Sequence, residues 1–224
     1  MSGYRTEEEQ LEAIKRWWTK YSSIITLCLS VMVLIIAGYR YWGFHEAKVT
    51  GQASSTYEQM LVAFSNQNIK AVKAHANHLV KNFSNTIYAD AAHLTLAKLY
   101  VSKDKFDSAI DELDVVAQKG HLPALQQIAR LRIARLYNQN KSYDAALKQL
   151  EIVNDKSYLS VIDELKGDIY AETGQYKQAL DQYKVAMEVA KQNGMANLFL
   201  EMKSNDLLAL TQQSSQLSLK ADKA

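Results

Sequence analysis

Three stretches of the chain repeat one arrangement of small and aromatic residues. The first reads Leu96-Ala97-Lys98-Leu99-Tyr100 and continues to Phe106, Ala109, Ile110 and Leu113. The second reads Ile133-Ala134-Arg135-Leu136-Tyr137, then Tyr143, Ala146, Leu147 and Leu150. The third reads Lys166-Gly167-Asp168-Ile169-Tyr170, then Gly174, Tyr176, Ala179, Leu180, Tyr183 and Ala186. Aligned on Ala97, Ala134 and Gly167, the copies stand 37 and 33 residues apart. The small residue lets a first helix (A) approach a second (B), and the aromatic three positions later fills the gap beside it. Phe106, Tyr143 and Tyr176 open helix B, and Ala109, Ala146 and Ala179 sit where B crosses A. One such pair cannot bury its apolar face alone, so neighbours must stack. Ala, Leu, Lys and Gln are abundant, Pro123 is the one proline, and no strand-like alternation stands out, which predicts an all-α body.

The arrangement resembles the tetratricopeptide repeat, a helix–turn–helix unit of about 34 residues. That resemblance implies an α-solenoid with a concave groove. The third copy matches best. The first two place Asp104 and Lys141 where the third has Gly174, and none has a closing proline. Residues 55–82 read as a divergent first pair. Tyr57, Met60, Leu61 and Phe64 form one apolar stripe, and Ile69, Val72, Ala76, Leu79 and Phe83 form the next. Ser55 and Glu58 have capping-box spacing at its start. Residues 195–210 carry Leu198, Phe199, Met202 and Leu208 and read as a terminal capping helix. The repeat domain is expected over 55–210, and the polar residues 211–224 read as a disordered tail.

An uncharged run at residues 21–39, bounded by Lys20 and Arg40, resembles nothing else in the chain. As a helix it spans about 28 Å, close to a bilayer's hydrocarbon core. Trp17, Trp18 and Tyr21 precede it and Tyr39, Tyr41 and Trp42 follow, as interfacial aromatic belts do. A buried core helix needs neither belts nor flanking charges. A cleaved signal peptide would have a shorter run and a small-residue cleavage site. The run therefore reads as an uncleaved transmembrane helix embedded in a lipid bilayer. Arg5, Lys15, Arg16 and Lys20 precede it against Arg40 and Lys48 after it. This bias places the N-terminus in the cytoplasm and the body across the membrane. The head, 1–20, reads as an amphipathic helix with Thr6 and Glu9 as its capping box and Leu11, Ile14, Trp18 and Tyr21 along one face. A linker is expected over 40–54.

The 26 Lys and Arg against 24 Asp and Glu leave a net charge of +2, with no basic stripe, so nucleic acid is not expected as a partner. The one cysteine, Cys28, lies inside the apolar run, so the body holds no thiol for disulfides or thiol chemistry. His75 and His78 have metal-ligand spacing on a helix, but no cysteine or nearby carboxylate completes a set. A phosphate loop, a nucleophile elbow and HExxH are all missing. The chain reads as a non-enzyme without cofactor or metal.

A concave groove would be lined by helix A positions. These are Leu94, Lys98 and Val101, then Ile128, Leu131, Arg135 and Asn138, then Val161, Glu164, Asp168 and Glu172. An apolar floor with basic residues at one end and acidic ones at the other suits an extended peptide or a partner helix. The alternative is that the groove packs on a repeat of its own chain.

Glu-Gln-Leu-Glu-Ala-Ile-Lys-Arg-Trp-Trp at 9–18, the apolar run, Tyr-Arg-Tyr-Trp at 39–42 and Met-Lys-Ser-Asn-Asp-Leu at 202–207 resemble the YfgM-like ancillary subunits of the bacterial Sec translocon. The resemblance implies a single-pass inner-membrane protein with a periplasmic repeat domain. It implies two partners, the translocon's membrane subunits and a membrane-anchored periplasmic chaperone of the prolyl-isomerase type, and a part in handing over emerging chains. A scaffold or adaptor of another envelope complex is the competing expectation.

Overall fold

The structure is a computed structural model that describes residues 7–194 and 197–221. The Thr6–Glu9 capping box lies outside the described residues. The helices are α1 (Glu7–Ser65), α2 (Ile69–Asn82), α3 (Ile87–Val101), α4 (Phe106–Lys119), α5 (Pro123–Gln139), α6 (Tyr143–Glu151), α7 (Leu159–Glu172), α8 (Tyr176–Gln192) and α9 (Leu198–Ala221), with a 3-10 turn at Lys156–Tyr158 before α7. No strand occurs among the described residues. Two compact units divide the chain, Met1–Gln52 and Ala53–Ala224.

The first unit is the leading part of α1. Its most apolar 18-residue window has a mean hydropathy of 2.2 and buries nothing in protein. Among the described residues it is the one helix long and apolar enough to cross a membrane. Its hydroxyls bond to their own helix: Thr26 Oγ1 donates to the Ser22 carbonyl at 2.7 Å, and Ser30 Oγ to the Thr26 carbonyl at 2.8 Å. Such back-bonding satisfies a polar group where the surroundings offer no partner. On the head, Trp17 and Tyr21 rings meet at 5.7 Å, and Arg16 pairs with Glu12 at 3.5 Å. The helix continues through 40–54, where a linker was expected, and through Ser55, where a cap was expected. No proline interrupts this stretch, and Gly43 and Gly51 each cost a helix only about 1 kcal/mol.

The second unit stacks helix pairs. The end of α1 and α2 form the first, with Ala53, Met60, Val72, Ala76 and Leu79 in one core. The pairs α3–α4, α5–α6 and α7–α8 follow, each sharing a core with the next helix along. All four A–B turns are built alike. Backbone N–H groups of Asn68, Lys105, Ser142 and Gln175 donate to the carbonyls of Ala63, Tyr100, Tyr137 and Tyr170 at 2.9, 3.0, 2.8 and 2.8 Å. This is the six-to-one closure of a Schellman turn, which needs a left-handed residue just before the donor. Gln67, Asp104, Lys141 and Gly174 fill that place with φ of 56°, 54°, 59° and 77°. The turn geometry is thus kept where glycine is not.

Small residues close each pair as their spacing predicts. Ala97, Ala109, Ala134, Ala146 and Ala179 are all buried. At Gly167 the approach leaves no room for a side chain, for a Cβ there would stand 2.5 Å from the Tyr183 ring. Between pairs, the His121 N–H donates to Asp90 Oδ2 at 2.7 Å, and within the α7–α8 pair Ser160 Oγ donates to the Ala186 carbonyl at 2.9 Å.

The helix α9 packs on α8 through Leu200, Ser204 and Leu207, all buried. It then runs on to Ala221, so a helix takes in most of the stretch expected to be a disordered tail. Gln, Ser, Leu, Lys and Ala follow one another there without glycine or proline, and nothing in that composition stops a helix once started.

Candidate partner-binding groove

The A helices place the predicted groove residues in three different settings. Leu94, Lys98 and Val101 of α3 meet Arg135 of α5 around a cleft of about 360 Å³. Ala97, Leu113 and Leu136 form its floor, and Arg132 adds a third cation to its rim. No carboxylate lines it. Arg132 and Arg135 carry no hydrogen bond or ion pair among the described residues. The Lys98 ammonium leans over the Phe64 ring at 5.4 Å, a cation–π contact that leaves its charge exposed.

The second setting is core. Leu131 is buried among Ala134, Ala146 and Leu150, Val161 packs partly buried against the same cluster, and Ile128 is half-buried one turn before Leu131. Asn138 is buried too. Its Nδ2 donates to Glu172 Oε1 at 3.1 Å, which ties α5 to α7, while its Oδ1 has no partner. Leu131 shares its register with Leu94 and Glu164, three residues before the small residue, but here the position is covered by Ala146 and Leu150 of α6.

The third setting is the acidic end. Lys203 of α9 reaches both Glu164 Oε1 and Asp168 Oδ1 at 2.9 Å. Tyr183 Oη donates to Asp168 Oδ1 at 2.8 Å, and Asn197 Nδ2 reaches Glu164 Oε2 at 3.5 Å. Burial alone would lower the Lys203 pKa, but hydrogen bonds and attraction from Asp168 and Glu164 outweigh it and hold the ammonium above its ordinary value. Burial, then the bond to Asp168 and the surrounding carboxylates, push the Tyr183 phenol up as well. Asp168 and Glu172 border a cleft of about 410 Å³ that Lys203, Leu207 and Leu210 close from the α9 side. Two of the three carboxylates at the acidic end are therefore held by the chain's own Lys203, and the basic end stands open.

Sequence patterning missed Arg132 and Lys203. Arg132 was visible as a cation one turn from Arg135's neighbours. Lys203 lies 39 residues from Glu164 and becomes legible only if α9 is read as a further helix A. Elsewhere, His78 stacks on Phe83 at 5.5 Å, and among the described residues no group of three or more His, Cys, Asp or Glu is placed to hold a metal.

The family described as "Tetratricopeptide repeat-like domain" matches residues 15–209, which takes in both the apolar segment and the stacked pairs. The chain belongs to this family. It is similar to the "Ancillary SecYEG translocon subunit" of Aggregatibacter actinomycetemcomitans, 35% identical over 107 residues, 48% of this chain and 52% of that protein. It is also similar to the proteins of the same name from Haemophilus influenzae, 32% identical over 46% of this chain and 50% of that one, and Escherichia coli, 28% identical over 50% and 54%. The chain spans about half the length of the curated relatives it matches.

Proposed function

We propose that this chain is a non-catalytic, membrane-anchored accessory subunit of the bacterial Sec translocon. The observation that carries the reading is the extent of the family match. It runs from Lys15 through the apolar helix and across the stacked repeats, and relatives matched over 103 to 113 residues of the chain are named as ancillary translocon subunits. The α1 segment is the anchor in the inner membrane, with the head cytoplasmic and the repeat unit periplasmic, a reading supported by the basic residues before the apolar run. The repeat unit binds a membrane-anchored chaperone or an emerging secretory chain through the open basic end of the groove. An unpaired Arg132 and Arg135 over an apolar floor suit a segment that pairs apolar side chains with carboxylates.

Protease added to spheroplasts tests the topology. Digestion of the repeat unit with the head spared supports it, and a protected repeat unit contradicts it. Photo-crosslinkers at Lys98 and Arg135 test the groove. Adducts to a chaperone or a secretory chain support it, and labelling of neighbours within the chain alone contradicts it.

A further inference from the structure

The helix α9 sits as a helix A whose outer face has no helix B. In α3, α5 and α7 two faces are used. One packs on the preceding helix B, through Leu96 and Leu99, Ile133 and Leu136, or Ile162 and Ile169. The other, carrying the small residue, receives the helix B of its own pair. In α9 the first face is Leu200, Ser204 and Leu207, buried against α8. Counting round the helix from these, the second face is Leu198, Met202, Asn205 and Ala209, with Leu208 at its edge.

That second face is open. Leu198, Met202 and Leu208 are 70%, 53% and 42% exposed, whereas the residues matching Met202 and Asn205 in α5, Leu131 and Ala134, are 4% and 0% exposed. No described residue covers it, for α9 itself runs on in line to Ala221. Its borders are acidic. Glu201 lies along one side and Asp206 along the other, both exposed and without an ion pair among the described residues. Lys184 and Lys191 of α8 line a cleft with Glu201 but form no ion pair with it among the described residues, and Lys203, beside Asp206, is already held by Glu164 and Asp168. A second copy of α9 laid on this face would set carboxylates against carboxylates.

We infer that the outer face of α9 is a docking surface for an amphipathic helix of a partner protein, seated as a helix B and carrying basic residues on both sides of its apolar stripe. Such a helix buries Leu198, Met202 and Leu208 and pairs its flanks with Glu201 and Asp206. The inference does not depend on which complex the protein serves.

Two fluorescein-labelled synthetic helices test it against the full chain in nonionic detergent, read by anisotropy. Both carry the apolar stripe of Tyr176–Gln192, one with lysine and the other with glutamate at the flanking positions. The lysine helix is expected to bind at least tenfold more tightly than its glutamate twin. Met202→Glu is expected to weaken it at least tenfold, and Glu201→Lys with Asp206→Lys to reverse the preference. Because all three residues are exposed, the thermal midpoint of each variant should stay at the wild-type value. Equal binding of the two helices, binding untouched by Met202→Glu, or no binding to wild type would overturn the inference. So would a wild-type dimer that Met202→Glu dissolves, since a second copy would then hold the face.

Discussion

Replacing Gly167 by alanine probes the close crossing of α7 and α8. An added Cβ stands 2.5 Å from both Cδ1 and Cε1 of Tyr183 and 3.3 Å from the Ala179 carbonyl. Ordinary carbon contacts lie at about 3.5–4.0 Å, so the ring must retreat by about 1 Å. It has little room to do so. Tyr183 is 3% exposed, its ring is packed with Ala179, Ala186, Leu200 and Leu207, and its hydroxyl is held by Asp168 at 2.8 Å. With the ring so confined, overpacking costs the upper part of its usual range, about 2–3 kcal/mol. Alanine returns about 1 kcal/mol through its better helix propensity. The net loss is then about 1–2 kcal/mol, a fall of about 2–8 °C in thermal midpoint for a domain of this size. All three tryptophans, Trp17, Trp18 and Trp42, lie in the first unit, so their fluorescence does not report on this melt. Circular dichroism at 222 nm does. In a Tyr183→Leu background the clash is gone, and Gly167→Ala should become neutral or stabilising, giving a coupling energy of about 1–3 kcal/mol. A Gly167→Ala variant as stable as wild type, or one equally destabilised in both backgrounds, would refute the packing argument.

Lys203→Met removes the counter-charge of two carboxylates that are each about three-quarters covered. Partial exposure keeps the cost below that of a fully buried pair, about 1–2 kcal/mol, and amide hydrogen exchange of α9 should accelerate more than that of α3. Lys141→Gly relieves a left-handed residue with φ of 59° and should raise stability by about 0.5–1 kcal/mol in urea unfolding, after the entropic cost of glycine is deducted. Alkaline pH should destabilise the fold. Lys203 and Tyr183 are both raised above their ordinary values of 10.5 and 10.0, so the folded state keeps protons that the unfolded state releases. Their contribution is complete below pH 10 and is lost as the pH climbs past the ordinary values, seen as a falling urea midpoint above pH 10 in wild type and a shallower fall in Lys203→Met.

The pairing of helices was legible because it is local. A small residue, an aromatic three later and a second small residue on the next helix all lie within one repeat, and burial of Ala97, Ala109, Ala134 and Ala146 follows from that spacing. The turns kept their shape with Asp104 and Lys141 in place of glycine, because a single left-handed residue costs only about 1–2 kcal/mol and the surrounding packing outweighs it. The groove was legible in part. Leu94, Lys98, Val101 and Arg135 do converge, but Leu131, in the same register as Leu94, is covered by Ala146 and Leu150 of α6, a difference in packing that the register alone does not reveal. The acidic end was hidden for another reason. Two of its carboxylates are held by Lys203, and no local pattern announces a contact across 35 to 39 residues. The helix through 40–54 shows the same limit in reverse. Without proline to stop it, the anchor's helix carries on, although the composition there favours no particular state.

The claim that the chain serves the Sec translocon is tested most directly by affinity purification of the full chain from membranes in mild detergent, with quantitative mass spectrometry of what accompanies it. The account predicts the translocon's membrane subunits enriched well above an unrelated single-pass protein carrying the same tag. Translocon subunits at the level of that control would contradict it.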